Sequence, residues 1–502
     1  MNFGQCLIIG FPGTKVSKEL EKIILKHDLF GVIFFSRNFT DKSQLTELCS
    51  NLQTIKSKVS EDKLIISADY EGGFVTRFNG AVNPIPCAYS QGLAQKKAWT
   101  EFLYGYNARE LKQIGINLNL APVCDVVDKN CTTPIGIRSF GCDPLLAGEF
   151  ASSAMKGIMS EGILCCAKHF PGLGTAKYDS HFFLPEVKSN LKSLLNKDLI
   201  PFKKLINKNI PFIMSSHCAF PSIEKNKIPA TFSYVLNTEL LKNKLKFKGV
   251  LLSDDLCMNA IAAKWDIQKS SYNALKSGID TVLVCHEFNR INTLIKSIGE
   301  NYKNKNLNPE QFSESQKRRN SVLKLVENID KNNDKISGTS VKQKDSIYEI
   351  NQTHFKSIKE KISRKSFVIF NKKPELNKAE KILLIKPEGF INSVIEDNNN
   401  YSDFFSKFKF LYKNTVIENL NSSKIKDTIK DFKSIVLITS GASKEDLLKL
   451  IAIIQANKIK LDLVVCTKNH NDFFILKKYC KNIILTHGFS IESRNLLLHY
   501  LS

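Results

Sequence analysis

The sequence predicts an α/β protein, an N-terminal (β/α)8 TIM barrel followed by a smaller C-terminal α/β domain. Three observations predict it. Eight short apolar runs alternate with helical patterns up to about residue 300, ionisable residues recur at the ends of those runs, and a polar stretch precedes a second, shorter strand-and-helix series. A chain of 502 residues also exceeds what a single core usually holds.

The eight runs are 6–11, 31–35, 64–69, 117–123, 163–169, 212–217, 249–255 and 281–285. Each is short and mostly apolar, as expected of strands buried on both faces. Between them, 42–58, 100–114, 191–207 and 259–277 carry apolar residues at three- and four-residue spacing, the mark of amphipathic helices. A doubly wound sheet is the alternative, but no Gly-rich phosphate fingerprint follows the first run. Residues 328–344 are polar and rich in Asn, Asp, Lys and Ser, which reads as a linker or solvated crossing. The second series comprises strands at 367–370, 382–385, 435–439, 461–466 and 483–486, with a helix at 444–456. The expected division is therefore 1–330 for the barrel, 331–350 for the linker and 351–502 for the C-terminal domain.

In a barrel, strand C-termini converge on one mouth, where catalytic groups gather. Strand three ends in Asp69-Tyr70-Glu71-Gly72-Gly73, the fifth in Lys168-His169, the sixth in His217 and the seventh in Ser253-Asp254-Asp255. After the fifth comes the most informative stretch, Phe170-Pro171-Gly172-Leu173-Gly174 and then Asp179-Ser180-His181. A carboxylate beside an imidazole sets its tautomer and tunes it for proton transfer. Because neighbours on a strand point to opposite faces, only one of Asp254 and Asp255 is expected to face the mouth.

Composition excludes several classes. An apolar fraction of 43% belongs to a folded protein. The net charge of +23 is spread along the chain with abundant Asn and matches no nucleic-acid motif, so no nucleic-acid partner is expected. Thirteen cysteines without metal-type spacing point to free thiols in a reducing compartment. The N-terminus lacks a basic signal-peptide region, and no apolar run approaches the ~20 residues of a membrane span. A cytoplasmic protein is expected, with no metal or organic cofactor; the sequence leaves its oligomeric state open.

Within residues 28–290 the motifs resemble the family 3 glycoside hydrolases, in their β-N-acetylglucosaminidase branch. The resemblance is carried by Gly31-Val32-Ile33-Phe34-Phe35-Ser36-Arg37-Asn38, Asp69-Tyr70-Glu71-Gly72-Gly73, Ala121-Pro122-Val123-Cys124-Asp125-Val126 and Arg138-Ser139-Phe140-Gly141. Lys168-His169-Phe170-Pro171-Gly172 with Asp179-Ser180-His181, Pro229-Ala230-Thr231-Phe232-Ser233 and Ser253-Asp254-Asp255-Leu256-Cys257-Met258 complete it. It implies Asp254 as nucleophile, His181 as general acid/base and Asp179 as its partner. It also implies Asp69, Arg77, Arg138, Lys168 and His169 as ligands of the sugar hydroxyls and acetamido group. His217, on the sixth strand, is expected to support or pack beneath the site and not to be catalytic.

The chemistry is coherent. A retaining glycosidase needs a carboxylate under the sugar and a proton donor at the leaving oxygen, and an imidazole can give and recover that proton near neutrality. Glycines 172 and 174 are expected to let the loop close over the sugar. The implied substrate is a terminal β-linked N-acetylglucosaminide, as in peptidoglycan recycling. Alternatives are phosphate in place of water as acceptor, a β-glucosidase, or an inactive carbohydrate-binding protein. The chain departs from the family pattern at Leu173, Phe74 and Tyr70, where the family usually has His, Arg and Gln.

Overall fold

The computed structural model describes residues 2–128, 133–176, 183–336, 341–371, 375–387, 401–439, 443–467 and 470–502. Eight parallel strands close into a barrel in chain order: β1 (Leu7–Ile9), β2 (Gly31–Phe34), β3 (Ile65–Ala68), β4 (Leu118–Asn119), β5 (Leu164–Phe170), β6 (Phe212–Ser215), β7 (Val250–Asp255) and β8 (Thr281–Val284). Each falls on a predicted run. The alternation of side chains along a strand sorts the apolar residues into two layers. Ile8, Ile33, Ile65, Leu118, Met214 and Leu283 fill the barrel interior, while Leu7, Ile9, Val32, Ile66 and Leu251 pack in the outer core with the helices.

The predicted helices form as Lys42–Lys56 and Lys97–Ile114, whereas the two longer patterns each split in two, Leu191–Asn196 with Leu199–Ile206 and Asn259–Ala262 with Ile267–Ser277. The helix Pro309–Ile336 sends Val322, Leu323 and Val326 into the interior cluster of the barrel. Asp280 ties it down, accepting from Ser315 Oγ and pairing with Lys242 at 2.7 Å.

The polar stretch expected to be a linker is largely helical. Its described residues belong to Pro309–Ile336 and to a second long helix, Val341–Ser366. Beyond it lies a six-stranded sheet in the order β11-β10-β12-β13-β14-β9. Its strands are β9 (Val368–Phe370), β10 (Ile382–Lys386), β11 (Thr415–Asn419), β12 (Ser434–Thr439), β13 (Leu461–Cys466) and β14 (Cys480–Leu485). All pair parallel except β9, which runs antiparallel to β14. Strand β11 escaped the sequence reading because it is an edge strand of mixed polarity, with only Thr415 fully buried.

Phe74, Cys87 and Ile137 of the barrel share an apolar cluster with Leu384, Val465 and Phe489 of the C-terminal sheet domain. Cys87 Sγ and Ser90 Oγ both donate to the His487 carbonyl, at 2.9 and 2.7 Å, and Lys359 pairs with Glu492 at 3.0 Å. Phe74, where the resembling family has an Arg, is thus 5% exposed and spent on the seam between domains. Among the described residues no helix is long and apolar enough to cross a membrane.

Candidate active site

Strands β3, β5 and β7 deliver the charged residues. Asp69 follows β3, Lys168 and His169 are the last but two and last but one residues of β5, and Asp254 and Asp255 end β7. Asp69, Lys168, His169, Asp254 and Asp255 all line one cavity of about 160 Å³. Strict alternation allows one of each neighbouring pair to face it. Instead, the β5–β6 register shifts between Lys168 and Phe170, and the β7–β8 register shifts between Leu252 and Asp255. These irregularities re-aim side chains at the strand ends, so the expectation that only one of Asp254 and Asp255 faces the mouth is corrected. The Lys168–His169 peptide bond is cis, as are Ala121–Pro122 and Phe170–Pro171.

The two aspartates differ in what they hold. Asp255 Oδ1 accepts from the backbone N–H of Cys257 and of Cys285, each at 3.0 Å. It is an anchor between the end of β7 and the end of β8. Asp254 Oδ1 accepts only the N–H of Asp255, at 2.8 Å, among the described residues. That leaves Asp254 with oxygen lone pairs facing the cavity. His217 is fully buried beneath, its Nδ1 2.7 Å from Thr231 Oγ1 and its Nε2 donating to the Asp255 carbonyl at 2.9 Å.

A buried ionic network forms one side of the site. Lys168 Nζ sits 2.7 Å from Asp69 Oδ1 and 2.6 Å from Glu71 Oε1, with 1% of the residue exposed. Arg138 forks onto Glu71 with two 2.8 Å bonds, and Arg77 pairs with Asp69 at 3.4 Å. Burial alone would lower the Lys168 pKa, but the two carboxylates outweigh it and hold the ammonium above the ordinary lysine range. Burial likewise raises Asp69 and Glu71, and the cations reverse it: Lys168 and then Arg77 bring Asp69 below its ordinary value, while Arg138 and then Lys168 do so for Glu71. All three ligating groups therefore stay charged. Arg77 and Arg138 do not line the cavity themselves; they act on it through Asp69, Glu71 and His169.

Asp125, just past β4, organises the loop after β5. It accepts from the His169 backbone N–H at 3.3 Å and from ring Nδ1 at 2.7 Å, which fixes the imidazole proton on Nδ1. Its other oxygen takes the Leu173 N–H at 2.6 Å. Glu71 and Asp125 both lie in motifs prominent in the sequence, yet neither was singled out as a site residue. Charge balance was the available signal, since three cations grouped at a buried mouth need more carboxylate than Asp69 supplies. Tyr70 is a structural tie, its hydroxyl donating to the Val82 carbonyl at 2.8 Å.

Asp179 and His181 lie outside the described residues. The segment leading to them is tightly packed. Gly172 has φ +127°, and a Cβ on Gly174 would lie 2.2 Å from the Val126 carbonyl oxygen. Both glycines thus permit close approach where the sequence reading expected freedom to move. Gly174→Ala is expected to destabilise the protein by about 1–3 kcal/mol through overpacking, read as a lowered urea midpoint; an unchanged midpoint would show that the contact is dispensable.

The profile of the glycosyl hydrolase family 3 N-terminal domain matches residues 2–322. A β-hexosaminidase of Idiomarina loihiensis is 35% identical over 288 residues, covering 56% of this chain and 84% of that one. A β-hexosaminidase of Nitrosomonas eutropha is 33% identical over 299 residues, 58% and 84% of the two chains. Among solved structures, a glycoside hydrolase family 3 β-N-acetylglucosaminidase from a Paenibacillus species superposes with a TM-score of 0.86 at 25% identity, covering 100% of this chain and 95% of that one.

Proposed function

This chain belongs to glycosyl hydrolase family 3, as a β-N-acetylhexosaminidase, and we propose that it removes terminal non-reducing β-linked N-acetylglucosamine with retention of configuration. Asp254 is the nucleophile and His181, paired with Asp179, the general acid/base. One observation carries the reading: Asp254 presents carboxylate lone pairs to the cavity that Asp69, Lys168 and His169 also line.

The reaction follows from that arrangement. Asp69, Lys168 and His169 bind the sugar hydroxyls, with charge-assisted bonds fixing the ring over Asp254. His181 protonates the glycosidic oxygen as Asp254 attacks the anomeric carbon, giving a glycosyl ester and a free leaving alcohol. Neutral His181 then takes a proton from water as the water attacks the anomeric carbon, breaking its bond to the Asp254 oxygen and restoring the free carboxylate. Asp179 stabilises the imidazolium between these steps. Asp255, whose Oδ1 is occupied by two backbone N–H groups, is left as scaffold.

The substrate source we propose is peptidoglycan fragments recovered in the cytoplasm. Free thiols on the described cysteines support a reducing compartment. The test is a panel of aryl β-glycosides with and without the 2-acetamido group, in water and in phosphate. Preference for the acetamido sugar with a hydrolytic product supports the reading; glycosyl phosphate as the main product would make the enzyme a phosphorylase.

His181→Ala is expected to cut kcat/KM by roughly 10²–10⁴-fold on substrates with poor leaving groups. The loss should shrink on a nitrophenyl leaving group, which departs without protonation. Equal losses on both would remove His181 from the acid role.

A further inference from the structure

Asp198 is a carboxyl without a partner. It immediately precedes the helix Leu199–Ile206, where an aspartate ordinarily accepts a backbone N–H of the first turn, yet its side chain makes no such bond. It is 1% exposed, and neither Oδ1 nor Oδ2 has a hydrogen-bond partner. The side chain packs under the loop that follows β5. A Cβ built on Gly172 would lie 2.7 Å from Asp198 Cβ and 3.5 Å from its Oδ1.

The loop is therefore held between two carboxyls of opposite character. Asp125 receives three N–H bonds from His169 and Leu173. Asp198 receives none from the loop, and among the described residues the only N–H that favours its charged form is its own backbone N–H. Among ionisable groups, Asp125 opposes its ionisation and Lys197 favours it. The loop residues above it, from Phe170 to Ala176, carry no ionisable side chain. Burial is the largest influence, and the Asp198 carboxyl is pushed up to about 6.

We propose that neutral, protonated Asp198 is a positioning residue, a buttress under the loop leading to Asp179 and His181, and that its ionisation loosens the loop and lowers turnover. This rests on the assignment of that loop to acid/base catalysis. A buried carboxylate with no donor is costly, and the relief nearest to hand is to lift the Gly172 turn and admit water. No proton is exchanged with substrate; Asp198 acts through the placement of the loop.

The sign follows from linkage. A carboxyl whose folded pKa lies above its unfolded value favours the native state while protonated. Its destabilising effect grows as pH rises from the ordinary aspartate value and is complete above the folded value.

The test compares wild type with Asp198→Asn in the full-length chain. kcat/KM for an aryl N-acetylglucosaminide is measured from pH 4.5 to 8.5, and urea unfolding at pH 5 and pH 8. Asparagine mimics the neutral acid. The wild type should lose activity through an ionisation near pH 6 that the variant lacks. The folding equilibrium constant of Asp198→Asn relative to wild type should rise about tenfold between pH 5 and pH 8. A constant offset from imperfect packing leaves that slope readable. Parallel pH–rate profiles in two active proteins, or a pH-independent stability difference, would overturn the inference while leaving the proposed function intact. The stability slope without turnover in wild type would overturn the proposed function, and the loop's catalytic role with it.

Discussion

Asp254→Ala is expected to lower kcat by roughly 10⁴-fold on an N-acetylglucosaminide, with little change in stability. Among the described residues, the carboxylate of Asp254 accepts a single N–H, from Asp255, and faces the cavity beside Asp69 and Lys168. Removing it removes the bond-forming atom and little else. Asp255 is the internal control, because its two N–H bonds bind the ends of β7 and β8 together. Asp255→Asn keeps an oxygen for those donors and should cost less than about tenfold in kcat, whereas Asp255→Ala should destabilise by about 1–3 kcal/mol. Steady-state kinetics and urea unfolding of the three variants separate chemistry from scaffold. A larger catalytic loss for Asp255→Asn than for Asp254→Ala would exchange the two assignments.

Lys168→Met is expected to be the most destabilising single change at the site, by about 3–5 kcal/mol. The ammonium is buried between Asp69 and Glu71, and its loss leaves two largely buried carboxylates short of a partner. Arg138 still forks onto Glu71 and Arg77 still touches Asp69, so the network should be weakened without being abolished. The pH dependence adds a signature. Asp69 and Glu71 lie below their ordinary values in the folded protein. Their stabilising contribution is thus present above the ordinary carboxylate range and lost as pH falls through the folded values. In Lys168→Met the loss should begin at higher pH. Equal acid-unfolding midpoints for the two proteins would show that Lys168 does not hold these carboxylates charged.

The barrel was legible in the sequence because parallel strands buried on both faces must be apolar throughout. All eight runs formed strands, and their charged ends gathered at one mouth. What escaped depends on relations between distant residues. Nothing local in residues 328–344 reveals that helices extend into this polar stretch from both sides. The pairing of Asp254 with Asp255 on one cavity arises from a register shift that strand alternation cannot foresee. Asp125 and Glu71 are visible as letters, but their roles come from the His169 ring and the Arg138 fork, which approach from other strands and loops. Phe74 reads as a lost cation until the C-terminal domain is seen packed against it.

In the proposed mechanism a carboxylate oxygen of Asp254 takes the sugar. A fluorinated N-acetylglucosaminide that glycosylates quickly and hydrolyses slowly should leave one sugar on the protein. Fragmentation of the labelled peptide in a mass spectrometer should place the ester on Asp254, with no adduct in Asp254→Ala. An ester on Asp255 or elsewhere, or turnover that yields inverted sugar with no adduct, would contradict it.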